Sequence, residues 1–297
     1  MLSKQQTIRI AKGKGFIAAL DQSVSSTSKA LELYGINKTH YSSESEMLNL
    51  IHQMRSRIIT SPVFNSNRIL AVILFKKTMN RIIENKLTTN YLWENKNIIP
   101  LLKIDQGLAK EKNDVQLMLT VSNLNSILEH AVINNVFGTK TRSVITAANL
   151  HGITNLLEQQ FSIAEKVLSY GLIPIIEPEI NIYIPDKLEA EKILLKKMTE
   201  YLNMLTSNQQ VILKLSLPTK FNYYYSLIKH PRVIRVAALS GGYSRERANN
   251  LLFGNTGMIA SFSRALTEGI SLYQNVSDFT SILNSSIQSI HEASLDI

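Results

Sequence analysis

Val211-Ile212-Leu213-Lys214-Leu215-Ser216-Leu217-Pro218-Thr219 reads as a β-strand of Val, Ile and Leu that holds one lysine at its centre and is closed by a proline. An ammonium inside a buried strand is costly unless it is paired or gives up its proton. Taken alone, the stretch is better read as an edge strand whose lysine snorkels to water. The rest of the chain reverses that reading, because other apolar strands carry charged residues in the same manner.

Working outward, short apolar runs alternate with helical patterns along the chain. The expected strands are 15–21 (GFIAALD), 71–75 (AVILF), 99–105 (IPLLKID), 138–145 (GTKTRSVI), 173–180 (IPIIEPEI), 211–217 (VILKLSL), 233–239 (VIRVAAL) and 257–263 (GMIASFS). Between them, residues 47–59 have Met47, Leu48, Ile51, Met54 and Ile58 at helical spacing. Helices are also expected near 123–132, 149–170, 186–205, 244–252, 264–266 and 276–293, with Gly171 as a helix C-cap. The segment Gln22-Ser23-Val24-Ser25-Ser26 reads as a polar turn. With no Pro/Gly-rich linker, residues 1–297 are expected to form one α/β domain around a parallel sheet.

Two architectures fit that order: a closed (β/α)8 TIM barrel and a doubly wound open sheet. Strand period leaves the choice open, although no GxGxxG or Walker A loop follows the first strand, where the open sheet would place it. The charged residues decide it. Side chains two apart on a strand share a face, which groups Lys103 with Asp105, Lys140 with Arg142, Glu177 with Glu179, and Lys214 with Ser216. Asp21 ends the first strand, Ser240-Gly241-Gly242 follows the seventh, and Arg264 follows the eighth. In a barrel these groups meet at one mouth, at the C-terminal strand ends; on an open sheet they would be strung across its width.

Composition narrows the chemistry. The chain has 297 residues, 44% hydrophobic and 19% charged, which is ordinary for a globular protein. Its net charge of +9 is spread along the sequence without a run of five like charges, so a nucleic-acid-binding protein is disfavoured and a site for anionic, phosphorylated metabolites is not. There is no cysteine to form disulfides or thiolate ligands, and the six His residues show no metal-ligand spacing; no metal or other cofactor is expected. The N-terminus, Met1-Leu2-Ser3-Lys4-Gln5-Gln6, lacks the apolar core of a signal peptide, and no apolar run is long enough to span a bilayer, so a cytoplasmic protein is the expectation.

Each polar group has a plain structural reading as a cap, a turn or a surface residue. Together they suit imine catalysis on a phosphorylated ketose. A lysine in an apolar pocket beside another cation, here Lys140, can present a neutral amine to a carbonyl. Two carboxylates on one strand face can divide into proton donor and acceptor. The Ser-Gly-Gly loop and Arg264 could hold one phosphate, with Lys103, Arg142 and the Ser-rich first loop holding another.

The segments GKGFIAALDQS (13–23), LLKIDQG (101–107), FGTKTRS (137–143), GLIPIIEPEI (171–180), VILKLSLPT (211–219), LSGGYSRE (239–246) and ASFSRAL (260–266) resemble, in order, those of the class I fructose-1,6-bisphosphate aldolases, in their compact bacterial branch. The resemblance implies a TIM barrel that cleaves fructose 1,6-bisphosphate to dihydroxyacetone phosphate and glyceraldehyde 3-phosphate, in glycolysis and gluconeogenesis, without a metal. An aldolase for tagatose 1,6-bisphosphate or another phosphorylated ketose is the alternative. It implies Lys214 as the Schiff-base lysine and Glu177 as general acid/base. Glu179 and Lys140 would assist imine formation, and Asp21 would orient a substrate hydroxyl. Ser240, Gly241, Gly242 and Arg264 would hold the C1 phosphate, with Ser23, Ser26, Lys103 and Arg142 at the C6 end. Val24-Ser25 replaces glycine and Gln106 replaces lysine relative to many members, and the tyrosine tail of animal members is not expected. Members are often homotetramers, so a homo-oligomer is implied without its subunit number.

Overall fold

The computed structural model describes residues 3–22 and 24–295. Among them, eight parallel strands pair in chain order: β1 (Phe16–Leu20), β2 (Ile69–Phe75), β3 (Ile99–Lys103), β4 (Gly138–Ile145), β5 (Ile173–Ile180), β6 (Val211–Ser216), β7 (Val233–Leu239) and β8 (Met258–Ala260). The Ala19 N–H donates to Phe262 O at 3.1 Å and links the last strand back to the first. Helices fill the connections, among them α1 (Lys4–Lys12), α2 (Val24–Leu33), α3 (Glu44–Thr60), α4 (Leu124–Ile133), α5 (Leu150–Ser169), α6 (Lys187–Met204), α7 (Arg245–Phe253) and α8 (Val276–Ala293). This is the expected (β/α)8 barrel.

Most strands are apolar on both faces over much of their length because both faces are covered; β4, with Thr139, Lys140, Thr141, Arg142 and Ser143, is the exception. Leu156, Leu157 and Phe161 of α5 pack with Ile176, Leu213 and Val236 on the outside, while Ile17, Ala19, Ala71, Ile73, Ile99, Leu101, Ile175, Ile212, Ala237 and Ile259 fill the barrel. Gly138 is required where β4 lies against the start of β5: a Cβ there would stand 2.2 Å from Ile173 O. The α5 boundaries are local chemistry. Asn149 caps the first turn by accepting from Gly152 N at 3.0 Å, and Gly171 ends the helix at φ +73°.

Among the elements that the expectations did not include, two bear on the barrel and its mouth. The turn expected after β1 is instead the entry to α2, whose first residues (Val24-Ser25-Ser26-Thr27-Ser28) have no apolar periodicity to betray a helix. Helix α1 was likewise unmarked. It presents Ile10 to the bottom of the barrel interior, fully buried among the inward residues. Arg235 on β7 donates to Ile10 O (3.0 Å) and Gly13 O (2.9 Å), fixing the plug in place. Ile10→Ala should therefore lower stability by about 3 kcal/mol in urea unfolding, the usual cost of a cavity among packed side chains, with substrate affinity at the opposite end unchanged.

Candidate active site

The strand period that fills the barrel also builds the site. One step beyond the apolar layers, on the same inward face, Ala19 is followed by Asp21, Leu101 by Lys103, Gly138 by Lys140, Ile175 by Glu177 and Ile212 by Lys214. The C-terminal ends of the strands therefore change from hydrocarbon to charge at one level. Above them lies a cavity of about 460 Å³ lined by those residues with Ser26, Arg142, Glu179, Ser240, Gly241 and Arg264. Gly242 adjoins it beside Arg264. Ser23 lies outside the described residues. A second cavity of about 360 Å³ at the other end, around Gln6, Trp93 and Tyr170, has one carboxylate in its lining and no cation.

Glu177 is the centre of the charge arrangement. Its Oε1 is 3.0 Å from Lys214 Nζ and its Oε2 is 2.9 Å from Lys140 Nζ. Lys140 also reaches Asp21 Oδ2 at 2.8 Å and Asp105 Oδ2 at 3.9 Å, and Asp105 pairs in turn with Lys103. All of these side chains are buried, so their charges are tolerable only because they neutralise one another. Burial alone would raise the carboxyl pKa of Asp21 and Glu177, but Lys140 and Lys214 reverse the sign and hold both groups below the ordinary carboxylate range. Burial likewise opposes the charge on Lys140, and Asp21, Glu177 and Asp105 more than compensate, pushing its pKa up.

Glu179, expected to assist imine formation, lines the same cavity. It pairs with Arg142 Nε at 2.6 Å, at the wetter edge of the cavity. Ser216 shares the face of Lys214 but does not line the cavity. Its hydroxyl accepts from Ile180 N (2.9 Å) and donates to Ile180 O (2.7 Å). The reason is Pro178, which has no N–H to give a strand ladder. The paired register of β5 and β6 stops at Ile176 and Leu213, and Ser216 joins the strands beyond it. Gln160 of α5 supports the other side, accepting from Glu177 N (3.2 Å) and Thr141 Oγ1 (3.0 Å). After Lys214, the loop is pinned by Lys187, which donates to Leu217 O at 2.8 Å and pairs with Glu191, whose Oε1 accepts from Thr219 N at 2.9 Å.

Several lining residues escaped the sequence reading. Lys29 joins Ser26, Ala30 and Leu33 on one face of α2, at the i, i+3, i+4, i+7 spacing that would have been visible had a helix been expected there. Ser261 and Ser263 follow Ile259 at strand period and were available to the same-face rule. Arg55 could not have been found, since an arginine in a helix is ordinarily solvated. Here it is buried behind the β1 loop, donating to Thr78 Oγ1 (2.6 Å), Gln22 O (3.0 Å) and Gln22 Oε1 (3.0 Å), while Gln22 Nε2 donates to Ser263 Oγ (2.9 Å). Burial pushes its pKa down to about 10, partly offset by Asp21. Among the described residues no group of three or more His, Asp or Glu side chains is placed to hold a metal ion.

The cavity lining has six cations (Lys29, Lys103, Lys140, Arg142, Lys214, Arg264) against three carboxylates (Asp21, Glu177, Glu179). Among the described residues, Lys29 and Arg264 have no carboxylate at ion-pair distance, so the excess positive charge stands at the rim rather than at the floor.

The buried ion pairs make stability depend on pH. Asp21 and Glu177, depressed from ordinary values of 3.8 and 4.5, contribute fully above those values and lose the contribution as pH falls toward the depressed ones. Lys140, raised, contributes fully below its ordinary 10.5. Lys140→Met should cost about 3 kcal/mol at neutral pH by leaving carboxylates under-paired. Its deficit should narrow as pH falls through and below the ordinary carboxylate range, because the burial penalty on the ionised carboxylates is then opposed by Lys214 with less help and protonation relieves it. Urea midpoints that fall in parallel for both proteins would contradict this assignment.

Comparison with known proteins agrees with the site. A family model described as fructose-bisphosphate aldolase class-I matches residues 2–222. The class 1 fructose-bisphosphate aldolase of Clostridium acetobutylicum is 51% identical over 294 residues, 99% of this chain and 100% of that protein. That of Porphyromonas gingivalis is 49% identical over the same shares. Among solved structures, the Plasmodium falciparum fructose-bisphosphate aldolase, crystallised with TRAP and a small-molecule inhibitor, superposes with a TM-score of 0.75 over 98% of this chain and 93% of its own. At 19% identity that likeness concerns the barrel alone. Half of all positions shared along the full length leaves one assignment: this chain belongs to the class I fructose-bisphosphate aldolase family.

Proposed function

We propose that the protein cleaves fructose 1,6-bisphosphate reversibly to dihydroxyacetone phosphate and glyceraldehyde 3-phosphate through an imine on Lys214. The observation that carries this reading is the single carboxylate of Glu177 shared by Lys214 and Lys140 at the floor of the cavity. Lys214 must lose a proton before its amine can add to the C2 carbonyl, and Glu177 Oε1 is the acceptor at 3.0 Å. Addition gives a carbinolamine. Return of that proton to its hydroxyl releases water and leaves a protonated imine.

The protonated imine carries the same positive charge as the ammonium it replaces, so the pairing with Glu177 survives the step. It is the electron sink for cleavage. Glu177 takes the proton from the C4 hydroxyl as the C3–C4 bond breaks, the bonding electrons pass to the imine nitrogen as an enamine, and the aldehyde leaves. Protonation of the enamine at C3 and hydrolysis of the imine release dihydroxyacetone phosphate. Lys140, fixed by Asp21 and Glu177, keeps its charge beside the reacting nitrogen. Asp21 orients a substrate hydroxyl, and Glu179 acts by fixing Arg142.

The rim supports two phosphates. Arg264 and the Ser240-Gly241-Gly242 loop suit the C1 phosphate. Lys103 and Arg142 enter the C6 end already paired with Asp105 and Glu179, so Lys29, beside Ser26 on α2, supplies the uncompensated charge there. A cytoplasmic location follows from this glycolytic reading; among the described residues no helix is long and apolar enough to cross a membrane. Incubation with dihydroxyacetone phosphate and borohydride should add one reduced adduct, mapped by mass spectrometry to Lys214, and EDTA should leave cleavage intact. An adduct that persists in Lys214→Ala, or cleavage abolished by EDTA, would reject the mechanism.

A further inference from the structure

Resting on the reading of the cavity as a phosphate site, we propose that Tyr183, in the loop after β5, is a phosphate-binding residue that donates its hydroxyl to the group held by Arg264. Nothing in the strand pattern points to it. The residue is 78% exposed, as several other aromatics of the chain are, and its hydroxyl has no hydrogen bond among the described residues. Exposure alone would carry little weight. Where the hydroxyl lies is the informative part.

Gly242 locates it. A Cβ built on Gly242 would stand 3.2 Å from the Tyr183 hydroxyl and 3.6 Å from Arg264 Nη2, so tyrosine and arginine converge on one small volume above the loop. The loop and its cover are fixed rather than loose. Ile182 packs over Gly241, where a Cβ would meet Ile182 Cγ2 at 2.8 Å, and Gly241 (φ +61°) and Gly242 (φ +119°) both use the backbone region that glycine favours. Tyr183 N donates to Asn181 Oδ1 at 3.0 Å, and Asn181 N to Ile145 O at 3.0 Å, which ties the tyrosine to the ends of β4 and β5. Any side chain at 242 would fill the volume between hydroxyl and guanidinium. Ile182 Cδ1 closes one side of that volume, 3.7 Å from the Cβ position; its polar boundary is a neutral donor, a cation without an ion-pair partner among the described residues, and a turn of backbone. A tetrahedral dianion is the ligand chemistry that uses all three.

The test is calorimetric titration with glycerol phosphate, which has no carbonyl and so reports on the phosphate pocket whatever Lys214 does. Tyr183→Phe removes only the hydroxyl and should weaken binding about tenfold, the effect of one hydrogen bond to a charged group. The thermal midpoint should not move, because the side chain is exposed. In an Arg264→Ala background the same change should have a much smaller effect. Unchanged affinity in Tyr183→Phe, an undiminished effect without Arg264, or no binding to the parent protein would overturn the proposal. If borohydride labels no lysine while Tyr183→Phe still weakens glycerol phosphate, the imine mechanism fails and the tyrosine assignment stands.

Discussion

Glu177 gives one carboxylate oxygen to Lys214 and the other to Lys140, at 3.0 and 2.9 Å, at the floor of the cavity where all three side chains are largely buried. Two ammonium groups sharing one buried site would repel strongly without the shared anion. Asp21 and Asp105 complete the balance around Lys140. The cluster is thus a set of mutually dependent charges, none of which would be stable there alone. The barrel is what makes it possible, because parallel strands from opposite parts of the chain deliver these side chains to one level.

Much of the supporting structure exists to hold Glu177 still. Pro178 has no N–H to give the ladder next to it; Ser216 joins the strands beyond it, and Gln160 holds the Glu177 N–H from the helix side. The paired Lys187 and Glu191 fix the chain just after Lys214. These are buried polar groups spent on backbone rather than on ligand, which is how a site keeps its geometry before substrate arrives. Arg55 does the same for the β1 loop, through Gln22 and on to Ser263.

The eight strands and the mouth they share could be read directly from the chain, because parallel strands buried on both faces leave plain apolar runs and an intruding charge in such a run has few explanations. Elements α1 and α2 could not. Lys4–Lys12 is short, polar on average and buries only Gln6 and Ile10, and α2 begins with a serine-rich turn, so neither stands out as an apolar run. The composition of the site was legible and its pairing was not. Arg142 stands in register with Glu177 yet pairs diagonally with Glu179. Ser216 looked like a site residue by its face, and its hydroxyl is used on backbone because of a proline on the neighbouring strand.

The central claim is that one carboxylate serves both as counter-charge for two lysines and as the proton carrier for bond cleavage. Single-turnover cleavage of fructose 1,6-bisphosphate by Glu177→Gln tests it most directly, since the amide keeps the shape of the side chain and loses both its charge and its basicity. The account predicts a cleavage rate reduced by a factor on the order of 10² to 10⁴, with the imine step also slowed. A variant that cleaves at the parental rate would contradict it.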